Sequence, residues 1–327
     1  MEMNDLRKLI IKSNTGTMEL SKIILGSTYF GTKIDEKTAL SLLDVYADLG
    51  GTSIDTASVY GDHNDTGGPI SEKIIGKWLK ESNNCQEIKI MTKGGHYRHQ
   101  TPHISRVSAA CLTQDIEKSL RSINIDVIDV YFPHRDNVNV PVSEIMELLH
   151  KFVLAGKIRA IGASNWGVDR IIEANAYALH NNLTPFTVSE IQWSLAPETP
   201  NVNELEHFPQ MSETEYEKYL KAGIPVLAWS SQACGIISTA IKTGIKSLKE
   251  SARNAYLNDI TMHRIENVKA VCKQTGISPT EASLAYITCN PLPASAIIGP
   301  SSVEHLKDSM TAADINLSVD IIDQLVK

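Results

Sequence analysis

Four side chains of this sequence, taken together, can polarise and protonate a carbonyl group. They are Asp55, Tyr60, Lys93 and His134. Asp55 closes the apolar run TSID, and Tyr60 lies in the loop beyond it. Lys93 ends the run IKIMTK, and His134 directly follows VIDVYFP. A tyrosine hydroxyl ordinarily ionises near about 10, too high for easy proton donation at neutral pH. A neighbouring ammonium lowers that value by favouring the phenolate, and a carboxylate paired with the ammonium keeps it charged and in place. A neutral histidine donates a hydrogen bond to a carbonyl oxygen. The set therefore forms an electrophilic pocket with Tyr60 as general acid. Each member alone also has a structural explanation: Asp55 as a turn cap, Lys93 as a surface lysine opening a Gly-Gly loop, His134 as a core histidine, Tyr60 as a packing ring. The combination points to a site.

Positioning these residues requires regularly spaced strands. The sequence opens with a hairpin signal, RKLIIK and MELSKI flanking the turn residues Asn14, Thr15 and Gly16. Short apolar runs then alternate with segments of helical period: KIILGS before EKTALSLLDVYADLG, TSIDTA before SEKIIGKWLKES, and so on to ASAIIG before SVEHLKDSM. About eight strand–helix units result, the number needed by a (β/α)8 TIM barrel. The runs are continuously apolar, as strands buried on both faces must be. We expect one domain spanning 1–327, with the hairpin at the barrel floor. A doubly wound dinucleotide-binding fold with a second domain is the alternative, but no G-x-G-x-x-G follows any strand.

Barrel chemistry sits at the C-terminal strand ends. The other runs there end in Gly26, Ser27 and Thr28, in Ser164 and Asn165, in Gln192, in Trp229 and Ser230, and in Gly299 followed by Ser301 and Ser302. Eight runs thus bring a polar set to one rim.

The composition excludes other classes. The net charge is -7 and no basic run stands out, which argues against nucleic acid. The five cysteines (85, 111, 234, 272 and 289) are odd in number and lack C-x-x-C spacing, against a disulfide framework or a zinc knuckle. The N-terminal segment has no apolar signal core, and no apolar run is long enough to span a bilayer. These features lead us to expect a cytoplasmic protein without a membrane partner; they leave the oligomeric state open.

Over nearly its whole length the chain resembles the aldo-keto reductases. GGTSIDTASVYG is similar to the segment carrying that family's catalytic Asp and Tyr, IKIMTKGG to the strand with its Lys, and VIDVYFPHRDN to the strand with its His. GKIRAIGASNW resembles the motif whose Ser and Asn hold the nicotinamide carboxamide, here Ser164 and Asn165, with Gln192 of EIQWSL beside them. The resemblance implies a small carbonyl substrate, from the aldehydes, ketones, sugars and steroids the family accepts. It also implies NADP(H), with NAD(H) as a competitor, lying extended across the barrel mouth. Gly26, Ser27 and Thr28 would line the cofactor, Trp229 would replace the usual Tyr stacked on the nicotinamide, and Ser230, Gln232 and Gly235 would meet the pyrophosphate. The adenosine end departs from the pattern. Ser231 stands where a Pro is common, and Ser301 and His305 stand where Arg, and Gln or Arg, are common for the 2′-phosphate. Asp308-Ser309 replaces the usual Glu-Asn pair near the adenine.

Two other functions fit parts of the pattern. A metal-dependent sugar isomerase on the same barrel would use Asp55, His134 and Glu190 as ligands, although a hard divalent metal asks for more converging carboxylates. A non-catalytic, cofactor-binding regulatory subunit would not need the intact Asp-Tyr-Lys-His set. The His-rich loop GGHYRHQTPHISR after Lys93 reads as solvated, or as a hydrogen-bonding rim for a polyhydroxylated substrate.

Overall fold

A computed structural model describes residues 8–62, 68–82, 87–98, 100–199 and 208–327. The chain begins with an antiparallel hairpin, β1 (Lys8–Ser13) and β2 (Gly16–Ser21). Its turn is the expected one: Gly16 takes φ +116°, where a side chain would be strained.

Eight parallel strands then close into a barrel: β3 (Ile23–Gly26), β4 (Ser53–Asp55), β5 (Lys89–Gly94), β6 (Ile128–Pro133), β7 (Ile158–Ser164), β8 (Val188–Gln192), β9 (Val226–Trp229) and β10 (Ala294–Ile298). Among the described residues β10 pairs with both β9 and β3, which completes the ring. The helices between strands are α1 (Glu36–Asp48), α2 (Ile70–Glu81), α3 (Ala109–Ile123), α4 (Val142–Leu154), α5 (Val168–His180) and α6 (Glu213–Ala222).

Between β9 and β10 the sequence has one long stretch, through ENVKAVCKQTG and on to the last apolar run. The structure divides it into α7 (Ile236–Thr243), α8 (Glu250–Tyr256), α9 (Asp259–Thr275) and α10 (Pro279–Thr288). The breaks have local causes. Gly244 ends α7 at φ +91°, Asn258 caps α9 by accepting from the Thr261 N–H, and Ser278 with Glu281 forms a capping box on α10. Two more helices follow β10, α11 (Val303–Met310) and α12 (Val319–Val326).

Strand parity sorts the core into two layers. Ile24, Met91, Val130, Phe132, Ala160, Val188, Leu227 and Ile297 fill the lumen. The hairpin closes that lumen from below with Leu9, Ile11, Met18 and Leu20, in the same apolar cluster. The opposite parity, including Ile23, Leu25, Tyr131 and Ile161, packs outward on the helices. Tyr46 of α1 reaches the barrel base, where its hydroxyl lies 2.9 and 2.8 Å from the carbonyls of Ile23 and Ser53. The described cysteines are free; Cys85 and Arg7 lie outside the described residues. No helix among the described residues is long and apolar enough to cross a membrane.

One outward-facing polar contact has a pH signature. Glu72 of α2 is fully buried against β5, where Oε1 accepts a 2.7 Å hydrogen bond from Thr92. Burial pushes its carboxyl up to about 7, against the pull of its hydrogen-bond donors. The native state therefore holds this proton more tightly than the unfolded chain does. The stability is complete below the ordinary carboxylate range and is lost as pH rises through about 7. Melting temperatures between about pH 5 and pH 8 should decline with pH in the parent, and decline less steeply in Glu72→Gln.

Candidate active site

The C-terminal rim brings together three of the four residues of the expected set as direct neighbours, and the fourth beside them. Lys93 and Asp55 share the lumen-facing parity of β5 and β4. Lys93 is 0% exposed, and its Nζ donates to Asp55 Oδ1 at 2.6 Å, to Oδ2 at 2.7 Å and to the Thr56 carbonyl at 3.1 Å. The Tyr60 hydroxyl is 3.5 Å from the same ammonium. His134, just past β6, sets its ring edge-on to Tyr60 with centroids 5.9 Å apart. Its backbone N–H is held by the Gly94 carbonyl. The predicted constellation is therefore assembled around one buried cation.

Glu190, which the sequence offers only as a metal ligand of the isomerase alternative, joins the cluster. It lies on β8 with Oε1 3.1 Å from Lys93 Nζ. Asp55 and Glu190 thus both turn to the lysine, and His134 does not join them as a ligand. Among the described residues no group of three His, Cys, Asp or Glu side chains is arranged to hold a metal ion. The two carboxyl groups of the isomerase reading both face an ammonium. The parity of β8 carries the missed signal: Val188, Glu190 and Gln192 alternate onto one face, and Val188 belongs to the lumen.

The electrostatics correct one expectation. Lys93 does pull the Tyr60 hydroxyl down, but burial outweighs it, and Asp55 and Glu190 push the same way as burial. The phenol is raised to about 12. Tyr60 is therefore a protonated hydroxyl at neutral pH. Lys93 stays charged: its carboxylate neighbours overcome the cost of burial and raise it above the ordinary lysine value. Burial, together with the charges of His96, Lys93 and Arg135, drives His134 well below its usual value, so its imidazole is neutral. Its Nδ1 is buried without a hydrogen-bond partner among the described residues.

The rest of the rim falls into three groups. Ser164 and Asn165 end β7 and are buried; Asn165 takes φ +60°, with Nδ2 donating to the His134 carbonyl at 3.0 Å. Its Oδ1 accepts from the Trp229 indole at 3.0 Å, which fixes the orientation of the amide. Gln192 donates to Glu198 at 2.6 Å and leaves Oε1 buried without a partner among the described residues. At the first strand end, Gly26 is required by the close approach of β10, since a Cβ would stand 2.9 Å from the Ile297 side chain. Ser27 is fully buried and spends its hydroxyl on the Asp55 carbonyl and on Ser71, whereas Thr28 is exposed.

Beyond β9 the backbone is unusual. Ser230, Ala233, Cys234 and Gly235 all have positive φ, between 45° and 73°, just before the N-terminus of α7. Ser231 bonds the Ile297 carbonyl at 2.7 Å, and Gln232 bonds Ser309. At the far end Gly299 is exposed, Ser301 and His305 bond each other at 3.0 Å, and Asp308 accepts from Thr280 and pairs with Lys242. The His-rich loop divides. His96 and Tyr97 are half-buried at the site, His96 lying 4.8 Å from the His134 ring between centroids, while Arg98, Gln100, His103, Ile104 and Ser105 are exposed and His99 lies outside the described residues.

The sequence pattern of the aldo/keto reductase family matches residues 22–327. The chain belongs to that family. It is an oxidoreductase of the nicotinamide-dependent, carbonyl-reducing kind. Its relatives include an uncharacterized oxidoreductase, YrpG, of Bacillus subtilis, 30% identical over 94% of this chain and 92% of the relative. An aryl-alcohol dehydrogenase [NADP(+)] of Phanerodontia chrysosporium is 25% identical over 92% of this chain and 80% of its own length. A probable voltage-gated potassium channel subunit beta of rice, Oryza sativa, is 22% identical over 90% and 88%.

Removing the central cation should expose what it holds together. Lys93→Met leaves two buried carboxyl groups facing each other without a counter-charge. Breaking a buried pair costs about 3–5 kcal/mol. The melting temperature of this variant should fall most at alkaline pH and recover as the pH drops and both carboxyls protonate.

Proposed function

We propose that this aldo/keto reductase converts an aldehyde or ketone to the alcohol at the Tyr60–Lys93–Asp55–His134 cluster, with Tyr60 as the proton donor. The observation that carries the reading is a hydroxyl kept protonated and held 3.5 Å from a buried ammonium. A nicotinamide cofactor, when bound, supplies the hydride. The negative charge that develops on the substrate oxygen is met by the Tyr60 O–H, which transfers its proton. Neutral His134 offers a hydrogen bond to the same oxygen, and Lys93 receives the phenolate charge left on Tyr60. Asp55 holds Lys93 and keeps it charged.

The residues fit such a cofactor. Gln192 Oε1 is a buried acceptor awaiting a donor, as a carboxamide would provide, next to Ser164 and Asn165. Half-buried Trp229 lines the same rim with its indole tethered to Asn165. Positive φ at Ser230 and at Ala233, Cys234 and Gly235 leads the chain into the N-terminus of α7, whose positive dipole end suits a pyrophosphate. At the adenosine end Ser301 and His305 offer hydrogen-bonding groups in place of an arginine, and Asp308 sets a carboxylate near Lys242. We therefore read the preference for NADP(H) over NAD(H) as weak. A charge-assisted contact contributes about 1.5–3 kcal/mol. Dissociation constants for the two reduced cofactors should differ by less than about a hundredfold, and a larger preference would reveal a cationic partner for the 2′-phosphate.

A polar substrate, such as a sugar or keto-sugar, is favoured by the cavity of about 140 Å3 that adjoins the site, lined by Asp62, His96, Arg106, Asp115 and Lys118 among others. The regulatory-subunit reading predicts cofactor binding without turnover, so a panel of carbonyl substrates separates it from the enzyme.

Tyr60→Phe keeps the ring and its packing while removing the hydroxyl. Cofactor affinity should survive, and turnover should fall on the order of 10²–10⁴-fold. Steady-state rates near the parent's would rule out Tyr60 as the acid.

A further inference from the structure

The set of four leaves Glu190 without a role. Its side chain enters the lumen from β8, 3% exposed, and meets Lys93 alongside Asp55. Asp55 has both oxygens within 2.7 Å of the ammonium, whereas Glu190 has one oxygen at 3.1 Å. Its other oxygen, Oε2, is buried and has no partner among the described residues. One cation thus faces two carboxyl groups in a dry site. An ionised carboxylate with an orphaned oxygen is costly to bury, and taking up a proton removes the cost.

We propose that Glu190 is a protonated carboxylic acid in the resting site, and that loss of its proton switches off carbonyl reduction at alkaline pH. With that proton in place, Asp55 and Lys93 cancel and the floor beneath Tyr60 is neutral. Without it, the floor carries one net negative charge where the substrate oxygen must itself become negative. The same charge makes Tyr60 a weaker acid, since Glu190 pushes the phenol upward. Both effects slow the reductive direction. Glu190 acts through Lys93 and Tyr60, and is a positioning residue.

The groups facing Glu190 come from several elements. β4 contributes Asp55, β5 Lys93 and the loop after β4 Tyr60. The flanking strands set uncharged Ser164 of β7 and Leu227 of β9 beside it, and His134 is neutral. Burial first, then the charge of Asp55, raises Glu190 to about 8 against the pull of Lys93. The lysine holds Asp55 more tightly, through both oxygens, so the shared proton rests on Glu190.

The kinetic half of the inference depends on Tyr60 being the acid; the protonation half does not. Infrared difference spectra of the apo chain, parent minus Glu190→Gln, should show a carboxylic-acid C=O band at neutral pH that disappears with a midpoint near 8. For the parent, kcat/KM for reduction should fall about tenfold per pH unit above that midpoint, as loss of one essential proton requires. In Glu190→Gln the fall should be absent over the same range, and in Glu190→Asp, which restores a carboxyl, it should return. No acid band, or an alkaline limb that persists unchanged in Glu190→Gln, overturns the proposal. A chain that reduces no carbonyl would instead remove the functional reading, while the band still decides whether Glu190 holds the proton.

Discussion

A buried ammonium organises this molecule. Lys93 has no solvent of its own, and an ion so placed costs several kcal/mol unless its partners are in contact. Its partners come from different strands: Asp55 from β4, Glu190 from β8, and the Thr56 carbonyl from the turn after β4. The registers of the barrel must bring these strand ends to a common level. That is why Gly26 matters although it has no side chain: it lets β3 and β10 approach where a methyl group would collide with Ile297. The barrel serves as a clamp on one cation, and the site is what surrounds the clamp.

The same low-dielectric setting keeps the two groups proposed to meet the substrate uncharged, by separate routes. Tyr60 stays a phenol because burial, helped by the charge of Asp55, opposes the lysine. His134 stays an imidazole because burial and three neighbouring bases oppose its protonation. A hydroxyl and a ring N–H, both neutral, then share the rim. Such groups gain most when negative charge appears before them and least when a neutral carbonyl does, which is the differential a catalyst needs.

Much of this was legible in the residues. Strands buried on both faces leave continuous apolar runs, so their ends, and with them Asp55, Lys93, His134 and Ser164, could be located by inspection. The breaks among α7 to α10 were written too, in Gly244, Asn258 and the Ser278–Glu281 box, but caps inside a long polar stretch are faint against its helical period. Glu190 is visible as an acid, but the sequence offers it only as a metal ligand in the less favoured isomerase reading. Parity turns it inward once Val188 is known to face the lumen, yet nothing local says that the cation across the barrel is Lys93, a contact spanning three strands around the ring. The raised phenol of Tyr60 was beyond reach for a related reason: proximity to lysine is a matter of motif, whereas burial belongs to the folded whole. The packing of His96 on His134 depends on a loop conformation that no periodicity encodes.

The hairpin that seals the barrel floor makes the lumen a cup. Leu9, Ile11, Met18 and Leu20 stop it with apolar surface, so water and solutes have the rim as their passage to the lysine. Traffic through a cup is last in, first out: a molecule seated at the bottom leaves only after whatever lies above it has gone. Residues at the lip, His96 and Tyr97 among them, then act on every entry and every departure alike, and altering them changes how long a ligand stays as well as which ligand is admitted.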